Sequence, residues 1–226
     1  MKLTPDQKTI IEQVVNAFET GRAQGDYGAI SIFRDGPHGI RQITYGRSQT
    51  TEYGKLRLLL ERYAAAGGSY SADIGRYAGR VGDEPLTDDF RFRSLLRNAG
   101  RTDPVMRQVQ DLFFDEEYFA PAMRWAADHG LTLPLSALVV YDSFIHSGSI
   151  LPLIRRSFPE PMPTRGGDER AWTAAYVKAR HRWLTEHPRA DVRKTFYRTE
   201  CFRAEIGRGN WHLEYLPIRA HGVLVE

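Results

Sequence analysis

Residues 134–146 read PLSALVVYDSFIH, an almost wholly apolar run entered through a proline. A helix over this span has no polar face, so it is stable only when other elements enclose it on every side. The rest of the chain must therefore supply amphipathic helices to pack around a central one. A single charge interrupts the run: Asp142, beside Tyr141 and one helical turn before His146. A lone carboxylate buried there would cost several kcal/mol, so it needs a cationic partner from elsewhere in the chain.

The best-marked element lies at the other end. Thr4 is suited to an N-cap, Pro5 to the first helical position, and Gln7 completes a capping box. Ile10, Ile11, Val14, Val15 and Phe18 recur at helical spacing, which predicts one buried face, and Gly21 ends the helix. Glu19 follows Phe18 beside that face. A carboxyl held against apolar side chains has its pKa raised, because desolvation disfavours the charged form, and this suits a general acid. The plainer reading is a solvated carboxylate at a helix end.

Downstream, AISIF (29–33) and RQITY (41–45) are rich in β-branched and aromatic residues and flank DGPHG, which predicts a hairpin. Asp35 stands where the first strand meets the turn, and Asp-Gly is in itself a turn signal. Thr44, Tyr45, Gly46, Ser48, Gln49, Thr50 and Thr51 line the second strand and the segment after it. Tyr27, Tyr45 and Tyr53 are suited either to stacking on sugar faces or to a half-buried core. Further helices are predicted over 52–66, in shorter pieces over 69–100, and from Asp103-Pro104 toward His129 with a break near Pro121.

Composition excludes several classes. With 226 residues, 42% of them hydrophobic, the chain is large enough for one or two cores, and no stretch approaches a membrane span. One cysteine, Cys201, excludes an internal disulfide, and the histidines show no metal-ligand spacing, so no metal or other cofactor is expected. Ser143, His146 and Asp142 lie on one helix without a nucleophile elbow, which argues against a serine relay. The net charge of +3 is spread over a mixed surface, not massed in a basic block, so no nucleic-acid partner is expected. A modestly basic protein nevertheless suits an anionic polymer. MKLTPDQKTI lacks the apolar region of a secretory signal, so the expectation is a wall-acting or secreted protein that is either trimmed or exported by another route.

An alanine-containing helix ending in Glu (AFET), an Asp-Gly (RDG) and a Tyr/Thr/Gly cluster (ITYGRSQTT) resemble the lysozyme superfamily. The closer resemblance is to the family 46 glycoside hydrolases, the chitosanases. DEEYFAPAMRWAADHGL, LVVYDSFIHSG and GGDERAWTAAYVKAR resemble that family's later motifs in the same order, so the likeness runs from about residue 10 to about residue 213. The implied fold is mainly α (α+β), two-lobed and lysozyme-like, with a small β-hairpin in the N-terminal lobe and a central buried helix. The whole chain, 1–226, would be one catalytic domain, with an N-terminal lobe of about 1–66 joined by returning C-terminal segments and a helical lobe of about 67–226.

The resemblance also implies roles. Glu19 would be the general acid and Asp35 the base acting on a water held by Thr44, with Thr50 or Thr51 as alternatives to Thr44. That division implies inversion if the two carboxyls stand about 6.5–9.5 Å apart. Asp142 would join Arg180 and Arg203 in a network that orients Glu19, with Arg203 reaching it. Glu52 would bind a substrate amine, with Tyr45 and Tyr27 as sugar contacts. Two readings fit these roles, an endo-hydrolase of a β-1,4-linked amino-sugar polysaccharide and a peptidoglycan-cleaving muramidase; a third, a non-catalytic glycan-binding module that has kept the fold, is opposed by the presence of Glu19, Asp35, Asp142 and two arginines. A polysaccharide is the expected partner in each, with no membrane insertion; the oligomeric state is open.

Overall fold

The computed structural model describes residues 1–226. In chain order the elements are α1 (Pro5–Thr20), β1 (Ile30–Phe33), β2 (Gln42–Tyr45), β3 (Thr50–Thr51), α2 (Leu56–Ala66), α3 (Ser71–Ala78), α4 (Phe90–Thr102) and α5 (Pro104–Phe114). A π-helical turn (Asp115–Phe119) comes next, then α6 (Ala120–Asp128), α7 (Pro134–Ser147), α8 (Pro152–Arg155), α9 (Glu169–Thr185), α10 (Ala190–Arg193) and α11 (Tyr197–Gly207). The chain closes with β4 (Ile218–Ala220) and β5 (Val223–Val225). It is a mainly helical protein with a small antiparallel sheet, as the sequence predicts. No helix is long and apolar enough to cross a membrane.

The chain forms two compact units, Met1–Ala23 with Glu116–Glu226, and Gln24–Asp115. This division differs from the expected boundary near residue 66: α1 joins the C-terminal unit, and α2 to α5 stay with the hairpin. The reason lies in α7, whose residues from Pro134 to Ser143 are all buried. α1, α6, α9 and α11 all pack on it. Ile11, Val14, Val15 and Phe18 of α1 therefore share one core with Leu138, Tyr141, Trp172, Tyr176 and Phe202. β4 and β5, a hairpin the sequence reading did not foresee, cover α1, and β4 also packs on α11.

In the other unit the three strands run in the order β1-β2-β3, all antiparallel. Ser31 pairs with Thr44 and Phe33 with Gln42, so these four share one face of the sheet. Ile43 and Tyr45 point the other way, into the core. α2 and α3 pack together, and Asp103 ties the helices by accepting hydrogen bonds from Tyr63 Oη (2.5 Å) and Ser69 N (2.7 Å).

Two predicted helices change shape. The one expected from residue 52 begins at Leu56, because Thr50 and Thr51 pair with β2 as a third strand. The long helix expected toward His129 is interrupted by a π-helical turn at Asp115–Phe119, and Pro121, near the expected break, lies two residues after that turn, in the first turn of α6.

Candidate active site

Each unit carries one of the two expected carboxylates. α1 forms as its capping residues dictate: Thr4 Oγ1 accepts from Gln7 N (3.2 Å), and Gln7 Oε1 accepts from Thr4 N (3.0 Å). Its far end stops at Gly21, whose φ of 70° is left-handed. Tyr197 Oη donates to Phe18 O (2.9 Å) and so fixes the last turn. Glu19 projects from this turn with its side chain only 12% exposed.

A buried line of alternating charges supports it. Arg198 Nη2 donates to Glu19 Oε1 (2.5 Å), and Arg198 Nη1 donates to Asp142 Oδ1 (2.6 Å). Arg180 Nη1 donates to the other oxygen, Asp142 Oδ2 (2.6 Å), and to Ser143 Oγ (3.2 Å). The charge that interrupts the apolar helix thus has two cationic partners, which is what its burial requires. The Arg198 guanidinium also lies 5.4 Å from the centre of the Phe18 ring and 5.7 Å from that of Tyr197. Its place is set by packing as well as by charge.

These surroundings push the carboxyls apart. Burial raises the Glu19 pKa; Arg198 opposes the rise, and the nearby Asp142 charge adds to it, so the net direction is upward. Burial would raise Asp142 too, but the two guanidiniums outweigh it and hold that carboxyl below its ordinary value. The two carboxyls on one guanidinium are thus shifted in opposite directions, Glu19 toward the protonated form and Asp142 toward the ionised one. His146, enclosed beside both arginines, is pushed well below its ordinary value by burial and by their charge. Its Nε2 meets Thr195 Oγ1 at 3.1 Å.

Arg203 is not in this line. It is exposed, lies beside His181, and lines a cavity of about 490 Å³ with Lys178 and Arg182. The residue reaching Glu19 is Arg198, which sequence reasoning missed. A signal for it exists: Arg198, Cys201, Phe202 and Glu205 recur at helical spacing and are all buried, whereas Arg203 falls off that face.

In the sheet-bearing unit, Asp35 lies two residues beyond β1. Gln42 Nε2 donates to Asp35 Oδ1 (3.0 Å), while Gln42 Oε1 accepts from Tyr53 N (3.3 Å). Gln42 and Thr44 are two apart on β2 and face the same way. The Thr44 hydroxyl donates to Gln49 Oε1 (2.9 Å), with Ser31 O at 3.3 Å. Thr50 pairs with Tyr45 and belongs to the core face; Thr51 pairs with Thr44.

Two predicted substrate contacts are corrected. Glu52 is 1% exposed, and its oxygens accept from Ile43 N (2.9 Å) and Leu86 N (2.8 Å), so both are committed to backbone amides and no sugar amine reaches them. Tyr45 is fully buried, and its hydroxyl donates to Leu96 O (2.7 Å). It is a core residue. Tyr27 is half-buried and donates to Asp111 Oδ1 (2.9 Å). No three His, Cys, Asp or Glu side chains converge as a metal site.

The profile of glycosyl hydrolase family 46 matches residues 13–218. The chain belongs to glycosyl hydrolase family 46. Among its relatives, a chitosanase of Bacillus subtilis (strain 168) is 27% identical over 229 residues, covering 93% of this chain and 80% of the other. The fold is that of solved chitosanases. A Gynuella sunshinyii family 46 chitosanase in complex with chitotetraose superposes with a TM-score of 0.81 at 24% identity, over 99% of this chain and 98% of that one. A mutant chitosanase from Bacillus subtilis MY002 complexed with 6 GlcN gives 0.83 at 23% identity over 100% of both chains.

Proposed function

We propose that this family 46 enzyme cleaves the β-1,4 linkages of a chitosan-like amino-sugar polysaccharide at internal positions, with inversion at the anomeric carbon. The buried line from Arg180 through Asp142 and Arg198 to Glu19 carries this reading. It holds a carboxyl with an upward-shifted pKa in a fixed orientation, as a general acid requires.

In the proposed reaction Glu19 gives its proton to the glycosidic oxygen as the bond from that oxygen to the anomeric carbon breaks. A water attacks the same carbon from the opposite sugar face and passes a proton to Asp35. The products are two shorter chains, and solvent restores the proton to Glu19 and removes it from Asp35. The new Glu19 carboxylate forms against Arg198, 2.5 Å away, which stabilises it as it forms. Gln42 holds one oxygen of Asp35, leaving the other for the water, and Thr44 supplies a second contact to that water. The relatives named as chitosanases, two of them solved with chitotetraose or 6 GlcN bound, support the substrate class. A polymer of this kind is met outside the cell, so we place the enzyme's action there or at the wall.

The net charge of +3 favours a second substrate, the anionic peptidoglycan, and the test separates the two. Reducing-sugar release from soluble chitosan and from purified peptidoglycan is measured in parallel, with Glu19→Gln as control. Release from chitosan that disappears in the variant is the expected result. Release from peptidoglycan alone would overturn the substrate class, and turnover undiminished in Glu19→Gln would overturn the acid.

A further inference from the structure

The four-residue turn between β2 and β3, residues 46–49, ends on Gln49 at φ 57°, a left-handed backbone that glycine adopts freely and other residues do not. The turn is imposed from beneath. Gln110 Oε1 accepts from Arg47 N (3.0 Å), Gln110 Nε2 donates to Tyr27 O (2.9 Å), and the Arg47 side chain pairs with Asp111 at 2.8 Å. Gly46 sits so close that a Cβ there would stand 2.6 Å from Gln110 Oε1. A glycine would satisfy position 49 as readily as it does position 46, yet the residue is glutamine.

Its amide accounts for this. Gln49 Nε2 donates to Ser31 Oγ (3.3 Å), which orients Oε1 toward Thr44, and Thr44 Oγ1 donates to that oxygen at 2.9 Å. The alternative acceptor, Ser31 O, is more distant at 3.3 Å. A hydroxyl has one hydrogen, and here the shorter bond takes it. Thr44 Oγ1 is left with only lone pairs to offer. A water that gives one hydrogen to Asp35 and the other to Thr44 then has its own lone pair directed outward as the nucleophile.

We propose that Gln49 is a positioning residue that holds Thr44 as a hydrogen-bond acceptor for the attacking water, and that the strained turn persists to present this amide. The proposal rests on the reading of Thr44 as the residue that contacts that water. Gln49→Gly separates the amide from the turn, because it removes the one while relieving the other. We expect kcat on chitosan to fall about tenfold, the scale of one lost hydrogen bond in the transition state, with KM unchanged and Tm unchanged or raised.

Thr44→Val and the double variant complete the cycle. Thr44→Val lowers kcat, and adding Gln49→Gly to it costs nothing further. Full activity in Thr44→Val would overturn the reading of Thr44 itself. A fall in Thr44→Val with none in Gln49→Gly would overturn the role of Gln49 alone. A loss in Gln49→Gly that comes with a lowered Tm, or that persists at full size in the Thr44→Val background, would make Gln49 structural and overturn the inference.

Discussion

Arg198 grips Glu19, 179 positions away in the chain, at 2.5 Å with one terminal nitrogen and Asp142 at 2.6 Å with the other. Because its charge is shared with Asp142, Arg198 can orient Glu19 without fully suppressing the upward shift that burial imposes. Removing either neighbour should therefore alter Glu19 in a distinct way.

Arg198→Ala should lower kcat by at least about a hundredfold and destabilise the fold by about 3–5 kcal/mol, since it leaves Asp142 and Glu19 buried with less compensation. Arg203→Ala, on the exposed face of the same helix, should change stability by less than about 0.5 kcal/mol and leave turnover near that of the parent. Urea unfolding and reducing-sugar kinetics on the pair check this. Equal losses in both variants would contradict the assignment of Arg198.

Asp142→Asn should leave Arg198 with a single anionic partner, Glu19. The Glu19 pKa should then fall, so the alkaline decline in kcat/KM, where the acid loses its proton, should begin at lower pH than in the parent. A pH–rate profile of kcat/KM reads the shift directly. An unmoved alkaline limb would mean that Glu19 is not the group titrating there.

The two carboxyls contribute to stability with opposite signs. Asp142 is held below its ordinary value of 3.8, so the unfolded chain binds the proton more readily; its stabilisation is present above that value and is lost as pH falls through the lower folded value. Glu19 is raised above its ordinary 4.5, so its contribution is full below that value and is lost as pH rises through the folded value. Denaturant midpoints measured across the acid range should show the Asp142 loss in the parent and its absence in Asp142→Asn. Likewise, Glu19→Gln should abolish the decline that accompanies rising pH.

Glu52 holds two backbone amides, so Glu52→Gln should replace one acceptor by a donor facing an N–H. We expect a loss of about 1–3 kcal/mol in stability, with KM for chitosan unchanged. A raised KM at unchanged Tm would restore Glu52 to the substrate site.

Gln42→Met should free Asp35 Oδ1 and lower kcat about tenfold, the scale of one hydrogen bond, with little effect on KM. Steady-state kinetics on soluble chitosan tests it. A change in KM alone would place Gln42 against the substrate and not behind the base.

What the sequence by itself determined is local. The caps and apolar stripe of α1 placed Glu19 at a buried helix end, the strand–turn–strand pattern placed Asp35 and Thr44, and the apolar run of α7 required both an enclosing fold and a cationic partner for Asp142. Periodicity reports which face of one element is buried and says nothing about what that face meets. Only the tertiary structure decided that Arg198 completes the charge line: the spacing along α11 turns Arg198 inward and leaves Arg203 off that face, but it does not say that the inward guanidinium meets Glu19 and Asp142. Glu52 and Tyr45 likewise read as polar residues beside a site, until long-range packing committed the Glu52 oxygens to Ile43 and Leu86 and the Tyr45 hydroxyl to Leu96. The same holds for the division of the chain: α1 belongs with residues more than a hundred positions away because its apolar stripe packs on α7, and no window of sequence contains both.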